Sequence, residues 1–444
     1  MSFRDEFAAY TTEHGEPDRI ELLLCDVNAI LRGKWLPGTD AEKLTRGQVR
    51  LPISTYAPNI IGEELPETGL GIVAGDPDGV ITPVPGTLKP VPWMPGRVAQ
   101  VQVEMQAQDP RFDGLSTRGV LSRIAGRYKS RGLTPVTATE LEFYIVQPRA
   151  NPDEPPQPPE FAPEAQNYEL NVLDRSEALL RDIRDACDIQ GLPTDSLIAE
   201  YGPGQYEINF HHTDDVVAAA DTALIFRRLV RGVARNHALS ATFMAKPYAD
   251  HPGNGMHVHV SVNGEDGNIF SADDGVAGPL RHAVAGLLDT MAEAHALFAP
   301  HLNSFRRFGP GSFSPNRPDW GLDHRGAAVR LPETKGPAAR LEHRIGGADV
   351  NPYLAVAAIL GGILHGLDTR PDLPPPLDGG DAAPAPPLAH DWRAAVDRYA
   401  ASRFAADLMG QKFRDIYATL KYDEIAKLTA EITPVEYRMY LGRL

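Results

Sequence analysis

One stretch constrains the fold of this chain more than any other: Gly253-Asn-Gly-Met-His-Val-His-Val-Ser-Val262. Side chains on a strand alternate between its two sides, so Met256, Val258, Val260 and Val262 share one face and His257, His259 and Ser261 the other. The segment therefore fits a half-buried strand, with valines on a core and imidazoles toward a polar space. A lone His-x-His pair is also at home on the solvated face of an antiparallel sheet. Here the same alternation returns elsewhere with carboxylates and arginines, and that company favours a ligand shell.

Residues 134–146 read as a second such strand. In Thr139-Glu-Leu-Glu-Phe, Glu140 and Glu142 share a face with Tyr144, while Leu141, Phe143 and Ile145 take the other. In Ala199-Glu-Tyr-Gly-Pro-Gly-Gln-Tyr-Glu-Ile-Asn-Phe, the Gly202-Pro203-Gly204 turn reverses the chain, so Glu200 and Glu207 converge across it. Arg307 enters a Gly/Pro loop, residues 324–331 present Arg325 and Arg330, and Arg340-Leu-Glu-His-Arg sets Arg340, Glu342 and Arg344 on one face. Collected, these faces supply Glu140, Glu142, Glu200, Glu207, His257 and Glu342. So many carboxylates raise one another's pKa unless cations sit among them. An oxygen-rich set with one nitrogen suits Mg²⁺ or Mn²⁺ better than a structural zinc. The five arginines suit phosphate and carboxylate oxygens, and divalent ions with arginines are the layout of phosphoryl transfer.

The bulk numbers narrow the partners. Over 444 residues, 43 Lys+Arg stand against 59 Asp+Glu, a net charge of −16, which argues against a nucleic-acid or anionic-membrane partner. Cys25 and Cys187 follow no metal or redox spacing, the first residues do not read as a leader, and no run of about 18 apolar residues appears. The expectation is a cytoplasmic protein without disulfides.

Along the chain, helices are expected over 2–14, from the Ser116 N-cap to Gly132, and over 176–190, 214–235, 279–298 and 352–368, the last apolar and buried. Strands are expected at 20–25, 29–36, 98–105 and 239–245, and residues 47–96 read mostly as loop. Residues 148–163 and 371–387 are Pro-rich excursions, and Thr433-Pro-Val-Glu436 is a capping box opening the last helix. A small β-rich domain over 1–108 and a larger one over 109–444 follow.

These motifs, in order, resemble the glutamine synthetase family: Glu-Leu-Glu-Phe, Glu-x₃-Gly-Gln-x-Glu, Lys-Pro then Gly-Met-His-x-His, Asn-Ser-x-x-Arg, Arg-x₄-Arg-x-Pro, Arg-x-Glu-x-Arg and Asn351-Pro-Tyr-Leu. They span essentially the whole chain. Residues 201–210 and 241–248 are most similar to its γ-glutamylpolyamine and γ-glutamyl-alkylamide synthetase branch. The resemblance implies an α+β fold, with a β-grasp N-terminal domain and a catalytic domain whose antiparallel sheet forms a funnel surrounded by helices. It also implies a homo-oligomer, a dodecamer of two hexameric rings with sites between subunits. Carried over by motif, Glu142, Glu200 and Glu207 hold one metal ion and Glu140, His257 and Glu342 another, with Mg²⁺ or Mn²⁺ as cofactor, two or more per site. His259, Ser261 and Arg340 meet ATP, and Gly253, Arg307 and Arg344 hold L-glutamate. Arg325 and Arg330 meet the transferring phosphoryl group. The implied chemistry activates the glutamate side chain as an acyl phosphate, which an amine then attacks.

The sequence departs from glutamine synthetases proper at the ammonium pocket. Residues 51–62 contain no carboxylate, and neither do the residues just after Pro310. The expected substrate is therefore a small organic amine, such as putrescine or a monoalkylamine, packed on Tyr56, Ile60, Ile61 and Phe313. Glu207, Glu63 and Glu64 are candidate bases. Glutamine synthesis from ammonia is the alternative. A catalytically silent assembly is disfavoured, because all six metal-ligand candidates are present. No tyrosine lies between Tyr353 and Tyr399, so adenylylation is unsupported.

Overall fold

The computed structural model describes residues 2–272, 275–276, 278–309, 312–377 and 385–444; Pro310, Gly311 and the 378–384 part of the second Pro-rich segment lie outside the described residues. Two sheets organise the chain. The first contains β1 (Arg19–Cys25), β2 (Leu31–Arg32), β3 (Trp35–Pro37), β4 (Arg50–Pro52), β5 (Asp78–Pro83), β6 (Lys89–Pro90) and β7 (Val98–Gln106). Their order is β2-β1-β7-β5-β4, with β3 also on β1 and β6 also on β7. β1 and β7 run parallel at the centre. Residues 29–36 do not form one strand. They break at Gly33, where a Cβ would fall 1.8 Å from the Leu22 carbonyl oxygen, so the chain bends there. Residues 47–96 also carry more structure than expected, because β4, β5 and β6 lie within them.

The second sheet contains β8 (Thr134–Val146), β9 (Thr194–Ala199), β10 (Gln205–Phe210), β11 (Ser240–Thr242), β12 (Met256–Gly264), β13 (Gly267–Asn268), β14 (Trp320–Leu322), β15 (Val329–Glu333) and β16 (Arg340–His343). The order is β14-β15-β16-β12-β8-β10-β9, with β11 on β8 and β13 on β12. Its pairings are antiparallel except for a parallel β14–β15 edge. β8 alternates between buried and half-buried positions from Pro135 to Phe143, as its sequence requires. Leu141, Phe143, Val258 and Val260 are all buried, each contributing about 1.5–3 kcal/mol relative to an exposed side chain. The strand expected at 239–245 shortens to β11.

Helices back this sheet. Val216–Asn236 is capped by Asp215, which accepts from the amides of Val217 and Ala218 at 3.1 and 3.0 Å. Pro352–Thr369 is long and apolar enough to cross a membrane by length and composition, but its apolar window is 78% buried in the protein. It packs on Gly278–Phe298 through glycines, since a Cβ at Gly286 would lie 2.3 Å from Gly366 Cα. Asn351 caps it and also donates to the carbonyls of Asp26 and Val27 at 3.1 and 3.3 Å. Tyr353 donates to Asp221 at 2.6 Å. The Asn-Pro-Tyr-Leu motif thus joins the two sheets' surroundings. Ser176 opens the Glu177–Gln190 helix without the expected cap, because its hydroxyl donates back to the Val172 carbonyl at 2.6 Å.

Candidate active site

Cross-strand register turns separate motifs into one band of charge. β10 sets Glu207 opposite Glu142 and Asn209 opposite Glu140. On the other side of β8, His257 stands opposite Glu140. β16 places Glu342 opposite His259, and β15 places Arg330 opposite Glu342. Directly opposed residues sit roughly 4.5–5.5 Å apart at Cβ, close enough to share a ligand. The Gly-Pro-Gly reversal between β9 and β10 brings Glu200 to the same end. It needs its glycines: a Cβ at Gly202 would lie 1.9 Å from the Tyr144 hydroxyl, and Gly204 holds φ +71°. Tyr144, on the polar face of β8, is buried and donates to the Pro252 carbonyl at 2.9 Å.

Glu140 is the hub. Its carboxylate lies 2.8 Å from His259 Nε2 and 3.3 Å from His257 Nδ1. Donor atoms of Glu140, Glu207 and His257 lie within 4.8 Å of one another, and so do those of Glu140, His259 and Glu342. His259 therefore stands among carboxylates as well as toward a cavity. Glu142 turns one oxygen to the Gly255 amide at 2.7 Å.

The electrostatics show what such a site needs. Burial lifts Glu207 to about 9, and the charges of Glu140, Glu142 and Glu200 add to it. Burial and Glu142 lift Glu200 to about 7. Burial opposes the charge of Glu140 too, yet its hydrogen bonds with His257 and His259 hold it well below the carboxylate range. Glu342 is also lowered despite burial, because His257 and Arg344 face it. Acids that cannot ionise together lack positive charge. A hard divalent cation with oxygen ligands and one imidazole fits this donor set.

Arginines border the band. Each oxygen of Glu342 holds one: Arg330 Nη1 lies 2.8 Å from Oε2, and Arg344 Nη1 bonds Oε1. Arg330 also donates to Asp323 from Nε at 2.9 Å. Burial opposes its charge, but these carboxylates raise its pKa. Arg307 is buried, donates to the Ile345 carbonyl at 2.9 Å and leaves its Nε without a partner among the described residues. Gly253 makes room for it, since a Cβ there would lie 2.6 Å from Arg307 Cγ. A buried guanidinium with an unused N–H is costly until an acceptor arrives, so this corner fits a carboxylate. Arg325 is exposed between β14 and β15, and its carbonyl accepts from Arg344 Nε at 3.1 Å.

A cavity of about 390 Å³ gathers His259, Ser261 and Arg340 with Ser196, Asn209 and His211. Arg340 Nε lies 3.4 Å from His259 Nδ1. At the Glu200 end, the Tyr168 and Tyr201 rings meet edge-on at 5.4 Å, and Phe313 lies 6.5 Å from Tyr201. Asn167 and Tyr168 hold φ of 42° and 66°, a left-handed pair that non-glycine residues adopt only when their surroundings impose it.

With this geometry in place, comparison with known proteins decides the family. Residues 114–440 match the description "Glutamine synthetase, catalytic domain". The chain belongs to the glutamine synthetase family. It is 36% identical to gamma-glutamylputrescine synthetase PuuA of Escherichia coli (strain K12), over 99% of this chain and 95% of that protein. It is 33% identical to gamma-glutamylethanolamide synthetase GlnA4 of Streptomyces coelicolor, over 81% and 78% respectively. The solved structure "Apo GmaS without ligand" superposes with a TM-score of 0.82 at 25% identity, covering 98% of this chain and 99% of that one. The α+β fold of the glutamine synthetase family is thereby established for this chain.

Within that glutamine synthetase frame, sequence reasoning missed several partners. Gln205 donates to the Gly253 carbonyl at 3.0 Å and to Asn254 at 3.1 Å, tying the Glu200–Glu207 turn to the Gly253 loop. It stood inside a quoted motif, which was the available signal. Asn209 donates to Glu207 at 3.3 Å. Asp323, which holds Arg330, gave no signal. Tyr56 is a correction: it does not line an amine pocket. It is 3% exposed, with its hydroxyl accepting from the Met105 amide at 2.7 Å in the core of the first sheet. Ile60, Ile61 and Phe313 are exposed. Glu63 is 2.7 Å from Lys427 Nζ, whose hydrogen bond lowers its pKa and makes it a weak base.

Proposed function

We propose that this chain is an ATP-dependent acid–amine ligase. It joins the γ-carboxylate of L-glutamate to a small organic amine through γ-glutamyl phosphate, releasing ADP and phosphate. The observation that carries this reading is the band of Glu140, Glu142, Glu207, His257 and Glu342 on adjacent strands, met at one end by Arg330 and Arg344. The amide-forming activities named for PuuA and GlnA4 support it.

In this proposal Glu142, Glu200 and Glu207 hold one Mg²⁺ or Mn²⁺ ion, and Glu140, His257 and Glu342 another. When bound, such ions stabilise charge on transferring phosphoryl oxygens. Arg325 and Arg330 do the same from the protein side. Gly253, Arg307 and Arg344 hold glutamate, and the unused Arg307 N–H supports that role. His259, Ser261 and Arg340 meet ATP, a role supported by their common cavity.

An alkylamine arrives charged, with a pKa of roughly 10 like lysine, and must lose a proton before attack. Among the candidate bases, the Lys427 contact counts against Glu63. Tyr168, Tyr201 and Phe313 offer apolar surface beside Glu200, where each buried CH₂ contributes about 0.8 kcal/mol.

We also assign residues 1–108 to a β-grasp N-terminal domain and 109–444 to the catalytic domain. Support comes from strands at 19–106 in one sheet and from 134 in the other, with the family match starting at 114. A dodecamer of two hexameric rings, with sites completed between subunits, fits the exposed Ile60, Ile61, Ile72 and Val73 of the N-terminal part. A cytoplasmic location fits the two buried, unbridged cysteines. Phosphate release with MgATP, glutamate and ammonium, methylamine, isopropylamine, ethanolamine or putrescine tests the reading. An ammonium kcat/KM at or above the best amine would return the protein to glutamine synthesis.

A further inference from the structure

A second cavity, of about 740 Å³, lies between the first sheet and the Val216–Asn236 helix. The helix builds one wall. Arg227, Arg231 and Arg235 recur every four residues and share a face, with Arg228 beside them. Two lining carboxylates are already engaged, Glu21 by Arg19 at 2.9 Å and by Arg228, and Asp349 by the Ser304 hydroxyl at 2.6 Å. Four guanidiniums against two carboxylates leave an excess of two positive charges, in a chain whose net charge is −16.

Arg227 is 5% exposed, donates to the Val350 carbonyl at 2.8 Å and has no partner for its Nε among the described residues. Burial and the like charge of Arg231 lower it to about 10, so it stays charged at neutral pH. Aromatic rings support its neighbours: Arg228 lies 5.9 Å from the Trp93 ring and Arg231 5.4 Å from that of Phe243. Arg228 already spends its N–H edge on Gln100, at 2.8 Å, and on Glu21, whereas Arg231, held by its face, keeps its edge for an oxyanion. The charge of Arg231 repels buried Arg227, and an anion between them relieves both the repulsion and the unused donor.

We propose that this cavity binds a small metabolite bearing clustered anionic oxygens, a phosphate or a pair of carboxylates, at a site separate from the charged band. The inference is independent of the ligase reading.

The test titrates the full-length protein, saturated with MgADP and glutamate, with inorganic phosphate and separately with succinate. Readouts are calorimetry and intrinsic fluorescence, since Trp35 and Trp93, two of the four tryptophans, line the cavity. We expect saturable binding of at least one probe, at one per chain, weakening as salt is raised. The tighter probe assigns phosphate or dicarboxylate chemistry. R231Q/R235Q removes two charge-assisted donors and should weaken binding roughly tenfold or more. R235Q alone, at an exposed position, keeps the test decisive if the double variant folds poorly, and should weaken binding several-fold. No saturable binding of either probe at millimolar concentrations overturns the proposal. So does binding that R235Q leaves unchanged, which would mark phosphate at the ligase site or an adventitious ion only.

Discussion

Lys421→Met is expected to destabilise the protein by about 3 kcal/mol near neutral pH. Lys421 is fully buried in the Gln411–Ala430 helix, with its Nζ 2.7 Å from Asn28 Oδ1 and 3.0 Å from Glu424. Glu424, 2% exposed, in turn accepts from the Ile60 amide at 2.8 Å. Methionine keeps most of the stem but leaves Glu424 buried with only the Ile60 amide and His301, 3.8 Å away, and breaking a buried pair in this way costs about 3–5 kcal/mol. The charge of Glu424 is itself held by this contact together with His301. Burial pushes Glu424 up, yet Lys421 and His301 hold it at about 2 against an ordinary 4.5, a gap equal to roughly 3 kcal/mol. The folded pKa lies below the unfolded one, so this stability is present above about pH 4.5 and is lost as pH falls toward 2. The penalty of Lys421→Met should shrink over that window. Replacing both partners, as in Lys421→Met with Glu424→Leu, should recover much of it, because two apolar groups need no mutual compensation. Urea unfolding of all three proteins, with amide exchange at Ile60, measures both the energy and the loosening of the loop. A single-variant cost below about 1 kcal/mol, or a double variant no better than the single, would refute the argument that this pair anchors residues 59–63.

Three further predictions concern the site. Glu142→Ala and Glu207→Ala should each abolish ligation while leaving the assembly mass unchanged, and retained activity at saturating Mg²⁺ would remove them from the metal shell. Arg325→Ala should lower kcat far more than it raises KM for glutamate; an effect confined to KM would move this arginine to substrate binding. Mg²⁺ binding at pH 7 should release protons. Glu207 at about 9 is protonated there and Glu200 at about 7 half so, giving roughly one to two protons per chain, with release fading as pH rises past 9. Calorimetry in buffers of different ionisation enthalpy measures this, and a heat independent of buffer would contradict it.

Much of the site was legible because strand alternation is a local property. Period two alone put Glu140 with Glu142 and His257 with His259, and the Gly202-Pro203-Gly204 reversal brought Glu200 toward Glu207. Register between strands is not local, so Arg344 on Glu342 could be read from Arg-x-Glu-x-Arg but Arg330 on Glu342 could not. The fate of Tyr56 depended on a partner 49 residues away, the Met105 backbone, with which its hydroxyl bonds. The same holds for Gly33, whose role follows from the close passage of Leu22. The arginine face of the Val216–Asn236 helix gains meaning only when the first sheet closes a cavity over it.

In the proposed reaction ATP activates the γ-carboxylate of glutamate for attack by an organic amine. Glutamate carrying heavy oxygen in that carboxylate, incubated with MgATP and putrescine or another amine of the panel, tests it directly. One heavy oxygen is expected in each phosphate released, in step with γ-glutamyl amide and faster with the best amine than with ammonium. Phosphate free of label, or labelled phosphate formed at least as fast with ammonium as with any amine, would contradict it.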